Sequence, residues 1–227
     1  MKQQLAVYAN AVLFTLAALL PIVNPLGSAP IFLSLSADLP AAARRRLASS
    51  VARYSFMLLA AAMLIGSHVL KLFGVSLPIV RVGGGLLVTA NGWRLLNDEP
   101  KPIAEVKPVE AWEREVERRA FYPLTFPLTV GPGSISIAIT LGAQAQRSQG
   151  TWSTGALAAS MVGVTLVAVS VFLSYRFSSR LITYLGETGT AVFLRLSSFI
   201  LLCVGVSIIW TGLVDLIRPL LLERGRL

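Results

Sequence analysis

The residues with the most distinctive chemistry in this sequence are neutral, and they flank two clusters of proline and glycine inside apolar segments. The clusters comprise Pro21, Pro25, Gly27 and Pro30 in the first segment, and Pro123, Pro127, Gly131, Pro132 and Gly133 in the second. Each proline removes a backbone donor and crowds the preceding turn, so a helix is interrupted at both places. Unpaired backbone groups in hydrocarbon are tolerated only inside protein or beside a watery cavity. The sequence therefore predicts two broken helices that line a cavity.

Small neutral residues beside these breaks are the candidate substrate-binding residues. They are Asn24, Pro25, Gly27 and Ser28 at the first break, and Thr129, Gly131, Pro132, Gly133 and Ser134 at the second. Hydroxyls, a carboxamide and unpaired backbone amides can bind a small polar molecule without a charged side chain. Any single polar side chain of this kind is more often an interhelical hydrogen-bonding group than a ligand contact.

Residues for other kinds of chemistry are scarce. Cys203 is the only cysteine and His68 the only histidine, so neither a cysteine-based metal site nor a Ser-His-Asp triad is expected. The acidic residues Asp38, Glu187 and Asp215 fall near the ends of apolar segments, which disfavours a buried proton relay. We expect no catalytic residue, no metal site and no cofactor.

Composition places the chain in a membrane. Hydrophobic residues make up 55% of the 227 residues and charged residues only 14%, with a mean hydropathy of +0.71, whereas a soluble domain has about 25% charged residues. The net charge of +9 comes largely from short clusters such as Arg44-Arg45-Arg46. Such clusters suit an anionic membrane surface and argue against nucleic acid as a partner. The lipid bilayer is the expected partner.

Six transmembrane helices are predicted, because about 20 apolar residues cross a bilayer core. They are Val7 to Leu35, Tyr54 to Phe73, Leu77 to Leu96, Phe121 to Ala143, Ala156 to Tyr175 and Ala191 to Leu213. Positive residues favour the cytoplasmic side. With the N-terminus outside, only Lys2, Lys71, Arg81, Arg147, Arg218, Arg224 and Arg226 of the 20 Lys and Arg residues lie outside. Both termini are therefore predicted to be periplasmic.

The two halves of the chain resemble each other. The segment from Pro21 to Ile31 matches Pro127 to Ile137 at an offset of 106, and Val80 to Gly84 matches Leu194 to Ser198 at an offset of 114. Each half holds three spans, an odd number, so the second half must enter from the opposite face. This pattern predicts an all-α membrane protein of two inverted three-helix repeats, residues 1–96 and 121–227, with helices 1 and 4 broken.

The halves are joined by a cytoplasmic linker, residues 97–120, whose mixed charges favour a solvated connection over a partner-binding site. Its last part pairs oppositely charged residues at i,i+4 and predicts a short helix that runs into the fourth span. Small residues at Gly83 to Gly85 and at Gly155, Ala159 and Gly163 indicate close helix packing. Contacts within the chain are favoured there, and a homo-oligomer interface is the alternative.

Arg81 and Arg195 occupy equivalent repeat positions at the starts of their spans. A long cationic side chain at such a position can extend its head group to the interface, and anchoring is the favoured role. An ion pair with Glu187 or Asp215, or carboxylate binding, is the alternative.

Four segments, Leu19 to Leu35, Phe73 to Val88, Pro123 to Ile139 and Arg195 to Leu213, together resemble the MarC family of bacterial inner-membrane proteins. The resemblance covers all six spans and is most specific in the Asn-Pro and Gly-Pro-Gly segments. It implies a six-span inner-membrane protein of the amino-acid-exporter superfamily. One archaeal relative is described as a transporter of small neutral amino acids.

These observations together favour transport of small neutral amino acids or similar small solutes, by alternating access around the paired broken helices. The carboxylate of a zwitterion suits the positive N-terminal end of a half-helix, and its ammonium suits free carbonyls where a helix unwinds. We therefore expect the amides of Gly27-Ser28 and Gly133-Ser134 to receive the carboxylate. The alternative is a scaffold or regulatory membrane protein without transport activity.

The predicted orientation can be tested by labelling and fusion. A cysteine introduced at Lys101 is expected to react only from the cytoplasm, because the linker follows the third span. An alkaline-phosphatase fusion at the C-terminus is expected to be active, since that enzyme works only outside the cytoplasm. A cytoplasmic C-terminus would contradict both the orientation and the even number of spans.

Overall fold

The computed structural model describes residues 2–97, 112–147 and 152–224, and its regular secondary structure there is helical. The elements are α1 (Lys2–Val23), α2 (Pro25–Leu35), α3 (Ala41–Leu72), α4 (Leu77–Asn97), α5 (Trp112–Arg119), a π-helical segment (Ala120–Thr129), α6 (Pro132–Arg147), α7 (Trp152–Arg176) and α8 (Ser178–Arg224), which is kinked at a non-helical Gly186. The all-helical prediction is confirmed for these residues. Lys101 and most of the predicted linker lie outside the described residues, whereas the short helix expected at the linker's end is present as α5.

Four helical stretches are long and apolar enough to cross a membrane: Val7–Leu35, Ala41–Leu72, Gly155–Arg176 and Thr188–Arg218. A fifth is a pair, Val116–Thr129 and Pro132–Ala145, bent by 73° at a short break. The third predicted span forms the 21-residue helix α4, but it is less apolar than the others. Arg81, Arg94 and the three consecutive glycines lower its hydropathy. The described residues thus contain four or five spans by length and composition.

The helices α3 and α7 lie at the centre of the bundle. They contact each other and supply many of the fully buried apolar side chains, among them Leu59 and Met63 on α3 and Val164 and Val167 on α7. Many large apolar side chains on the outside of the bundle are exposed, among them Ile65, Val162 and Trp210. An apolar surface of this extent is expected of a protein that faces lipid.

The most extensive contact between helices joins α4 to α8. A Cβ added at Gly92 would lie 2.6 Å from the backbone nitrogen of Leu202, and one added at Gly212 would lie 2.9 Å from the carbonyl oxygen of Pro78. Higher numbers on α4 therefore face lower numbers on α8, and the two helices run antiparallel. Only glycine lets the two backbones approach this closely.

Glycines also mediate two further helix contacts. On α7, a Cβ at Gly155 would lie 2.6 Å from the Tyr8 ring, and one at Gly163 would lie 2.7 Å from Cβ of Thr15, both on α1. Between α3 and α6, a Cβ at Gly142 would collide with the backbone of Met63. The prediction that Gly155 and Gly163 pack within the chain is confirmed. Gly83 differs, since a Cβ there meets nothing within 4 Å.

An ion pair between Arg119 and Asp38 joins the end of α5 to the loop between α2 and α3. Arg119 donates from both terminal nitrogens to the buried carboxylate of Asp38, at 2.7 and 2.9 Å. Arg119 also donates to the carbonyl oxygen of Leu35 at 3.0 Å, near the C-terminal end of α2. A bidentate guanidinium–carboxylate pair fixes both position and orientation. The end of the linker is therefore held against residues 81 positions earlier in the chain.

The α4–α8 contact can be tested with two glycines of the same helix. Gly92→Ala is expected to lower the free energy of unfolding by about 1–3 kcal/mol, because the new methyl group would overlap the α8 backbone. Gly83→Ala is the matched control and is expected to be neutral or stabilising by up to about 1 kcal/mol, through helix propensity alone. Unfolding in mild detergent measures both. Equal stability of the two variants would contradict the close contact.

Candidate functional site

The first break lies at Asn24, between α1 and α2. Asn24 has φ 43° and ψ 60°, a left-handed conformation that asparagine tolerates better than most residues. Its Oδ1 accepts a hydrogen bond from the Gly27 amide at 3.2 Å, and Pro25, the first residue of α2, has no backbone N–H and so needs no acceptor. A Cβ at Gly27 would collide with the Asn24 side chain, so a glycine is required there.

This first break is shallow. The Asn24 amide donates to the carbonyl oxygen of Leu20 at 2.9 Å, and the Ser28 amide donates to the carbonyl oxygen of Asn24 at 3.0 Å. These backbone hydrogen bonds reach Asn24 from both sides, and α1 and α2 form one membrane-length stretch. The amides of Gly27 and Ser28, predicted to receive a ligand carboxylate, both already donate to Asn24 in this conformation.

The second break lies between the π segment and α6, and it is much sharper. Tyr122 and Phe126 have extended backbone conformations inside the π segment. Each precedes a proline, whose ring disfavours a helical conformation in the residue before it. Val130 is also extended, and α6 then leaves at an angle of 73°. The break predicted in the fourth span is present as this bend.

Threonine side chains satisfy backbone carbonyls in the π segment. The Thr125 hydroxyl donates to the carbonyl oxygen of Ala120 at 2.5 Å, and the Thr129 hydroxyl donates to that of Leu124 at 2.6 Å. Both hydroxyls are buried, where a carbonyl without a partner would be costly. These hydrogen bonds give both buried hydroxyls an acceptor within the π segment.

The two breaks meet at Tyr175, a residue that sequence analysis did not single out. Its side chain is 1% exposed, and its ring stacks on Phe32 of α2 at a centroid distance of 4.4 Å. Its hydroxyl lies 2.7 Å from Oγ1 of Thr129. Because Thr129 gives its only hydroxyl proton to Leu124, Tyr175 must be the donor in this bond. The Ser28 side chain lies beside the same hydroxyl.

The residues at the start of α6 pack against α4. The Ser134 hydroxyl donates to the carbonyl oxygen of Gly131 at 2.9 Å, and Pro132 begins the helix. A Cβ at Gly133 would collide with the Val88 side chain and lie 3.1 Å from the carbonyl oxygen of Gly84. Gly133 is therefore required for close packing, whatever role its amide has.

The structure thus brings together some of the predicted substrate-binding residues. Ser28 and Thr129 meet at Tyr175, whereas Asn24, Pro25 and Gly27 form the turn of the first break. Gly131, Pro132, Gly133 and Ser134 form the bend and the first turn of α6. The sequence signal for Tyr175 was weak, because an aromatic residue beside Arg176 at a span end is typical of a membrane-interface anchor.

A cavity of about 670 Å³ lies away from both breaks, between the ends of α3, α4, α6 and α8. Its lining includes Lys71, Ser76, Arg81, Ala143 and Asp215. None of the predicted substrate-binding residues lines it. Within residues 2–97, 112–147 and 152–224, no three His, Cys, Asp or Glu residues are grouped as metal ligands.

Arg81 forms an ion pair with Asp215 at the edge of this cavity. Its Nε also donates to the Thr140 hydroxyl at 3.3 Å. The ion pair was the less favoured of the roles predicted for Arg81, and Asp215 was one of its two proposed partners. Arg195, the repeat counterpart, is exposed. The two equivalent arginines therefore have different surroundings.

The Tyr175 hydroxyl can be tested by its removal. Tyr175→Phe keeps the stacked ring but leaves Thr129 without its donor, so we expect the free energy of unfolding to fall by about 1 kcal/mol. Tyr184→Phe, at a tyrosine that is 91% exposed, is the matched control and should have no effect. Denaturation in detergent measures both variants. A loss of the same size in both would contradict the buried hydrogen bond.

Comparison with known proteins agrees with these features. The chain matches MarC family integral membrane protein over residues 9–217. It is 32% identical over 207 residues to the UPF0056 inner membrane protein MarC of Escherichia coli strain K12, and the match covers 89% of this chain and 94% of that protein. The corresponding protein of Escherichia coli O6:H1 strain CFT073 matches to the same extent. No solved structure matches the chain. With its membrane-length helices, this chain therefore belongs to the MarC family and is a multi-pass integral protein of the inner membrane.

Proposed function

We propose that this protein transports small neutral amino acids or similar small solutes by alternating access around its two broken helices. The observation that carries the proposal is the meeting of the two breaks at one buried hydroxyl. Ser28 from the first broken helix and Thr129 from the second both lie at Tyr175. Broken helices that meet inside the bundle are the usual setting of a transporter's binding site.

The proposal includes two inverted three-helix repeats, and the helix contacts support it. Exchanging the halves replaces α1 and α2 by the π segment and α6, α3 by α7, and α4 by α8. Under this exchange the α1–α7 contact becomes the contact of α3 with the π segment, the α2–α7 contact becomes the α3–α6 contact, and the α2–α8 contact becomes the α4–α6 contact. The α4–α8 and α3–α7 contacts each join a helix to its own counterpart, so the exchange leaves them unchanged. A two-fold axis in the membrane plane would relate the helices in this way.

The proposal also includes six membrane crossings with both termini in the periplasm. The cavity brings the C-terminal parts of α3, α6 and α8 close to the N-terminal part of α4. Helix α4 runs antiparallel to α8. If it also runs opposite to α3 and α6, these four helix ends lie on the same side of the membrane. This arrangement supports a crossing by α4 despite its lower hydropathy, because Gly84 packs on α6, Gly85 and Gly92 pack on α8, and Arg81 bonds to both helices.

Within this proposal the substrate is bound and moved, with no catalytic step and no cofactor. The first amides of α6, at Gly133 and Ser134, have no intrahelical acceptor four residues earlier, and the helix dipole favours an anion there. The equivalent amides of α2, at Gly27 and Ser28, already donate to the side chain and the carbonyl oxygen of Asn24. The carboxylate of a substrate is therefore proposed to bind first at α6, and Asn24 to order the opposite break.

Flux through reconstituted liposomes tests the proposal. Labelled glycine, alanine and serine are offered with and without ion gradients, and saturable uptake above that of empty liposomes is expected. Asn24→Leu is expected to abolish uptake, because it removes the acceptor for the Gly27 amide. Asn91→Leu, the same change at an exposed asparagine of α4, is the control and should retain uptake.

A second pair of variants separates packing from binding at α6. Gly133→Val is expected to abolish uptake while the protein still inserts and purifies as a single species. Gly133→Ala combined with Val88→Ala relieves the overlap with Val88 and keeps the amide, so it should retain uptake. Near-normal uptake by both Asn24→Leu and Gly133→Val would remove the broken-helix site. Absence of flux for every solute in the unmodified protein would favour a scaffold.

A further inference from the structure

The cavity at the predicted periplasmic end contains charged groups that the broken helices lack. Lys71 and Arg81 supply two positive charges, and Asp215 supplies one negative charge. The Arg81 side chain is 16% exposed and that of Asp215 is 37% exposed. The cavity volume of about 670 Å³ lies within the range of roughly 300–1,000 Å³ that is usual for small-molecule sites. The charges and the space together are sufficient for a ligand of a few heavy atoms.

The Arg81–Asp215 pair limits which ligand can enter between its members. A molecule with only a carboxylate could pair with Arg81, but Asp215 would then have only the exposed Lys71 as a cation in the cavity. A molecule with only an ammonium would leave Arg81 without an anion. An unpaired charge is unfavourable here mainly at Arg81, which is the less exposed of the two, since solvent screens Asp215. A molecule that carries both charges a few bonds apart can replace both partners at once.

We propose that this cavity binds a small zwitterion, with its carboxylate on Arg81 and Lys71 and its ammonium on Asp215. The guanidinium group suits a carboxylate because it offers parallel donors. The Thr140 hydroxyl, which accepts from Nε of Arg81 at 3.3 Å, keeps the side chain oriented while its terminal nitrogens exchange partners. Lys71 adds a second cation beside the incoming carboxylate.

The α6 helix connects this cavity to the second break. The Thr140 hydroxyl donates to the carbonyl oxygen of Ser136, and the Ser136 hydroxyl donates to that of Gly133. These hydrogen bonds lead from Arg81 along α6 to Gly133 in its first turn. The cavity is an outer binding site on the route to the broken helices, and this position on a route rests on the proposed transport function.

Equilibrium binding to the purified full-length protein tests the site directly. Glycine is the zwitterionic probe, and acetate and methylamine each carry one of its two charged groups. Labelled glycine is expected to bind saturably and to raise the melting temperature. Acetate and methylamine at equal concentration and ionic strength should neither compete nor stabilise. Equal effects of acetate and glycine would overturn the proposal in favour of a simple anion site.

Substitutions in the cavity test whether glycine binds there. Arg81→Gln and Asp215→Asn are each expected to weaken glycine binding about tenfold, as expected for the loss of a charge-assisted hydrogen bond. Arg195→Gln, the same change at the exposed repeat counterpart, should bind glycine as the unmodified protein does. Ser76→Trp fills the cavity without changing a charge, and it should abolish glycine binding in this cavity. Unchanged binding in Arg81→Gln or Ser76→Trp would overturn the proposal.

The same variants distinguish this site from the transport function. Glycine binding that depends on Arg81, in a protein without flux in liposomes, would leave the zwitterion site in place and remove the transport proposal. Flux that is unaffected by Arg81→Gln would leave the transport proposal in place and remove the outer site. Each result therefore bears on one of the two proposals alone.

Discussion

The structure depends on the requirement that backbone polar groups in an apolar environment find partners. Prolines disturb that pairing at two places in this chain, and side-chain oxygens bond to backbone groups beside both. At the first break, the carboxamide of Asn24 accepts from the Gly27 amide. In the π segment, Thr125 and Thr129 donate to carbonyl oxygens five residues earlier. This requirement explains why neutral hydroxyl and amide residues, and not charged ones, accompany the breaks.

The 73° bend at the second break has consequences along the whole of α6. The helix turns away from the π segment and lies against α4, where Gly133 and Gly84 allow close approach. Its 16 residues extend for about 24 Å at the usual helical rise. Its far end therefore reaches the cavity at Ala143. A change of angle at the bend would move Thr140, and with it the surroundings of Arg81.

Two ion pairs join distant parts of the chain, and their settings differ. Asp38 is buried and accepts two hydrogen bonds from Arg119, which also donates to Leu35. This pair satisfies its charges within the protein and anchors α5. Arg81 and Asp215 lie at the edge of a cavity with Lys71 nearby. The Asp38–Arg119 pair therefore has a structural role, whereas the cavity beside Arg81 and Asp215 leaves space for a ligand to replace either partner.

Sequence alone determined the features that follow from local chemistry. Uncharged apolar segments predicted membrane helices, and the proline clusters predicted both breaks, because hydropathy and missing donors act over one or two helical turns. Only the tertiary structure decided that similar Pro-Gly patterns give a shallow break at Asn24 and a sharp bend after Thr129. It also decided that Tyr175 joins the breaks, that Arg81 pairs with Asp215 and that Gly83, unlike Gly85, packs against nothing. These outcomes depend on residues 46 and 134 positions away, which packing of the bundle brings together and no local pattern specifies.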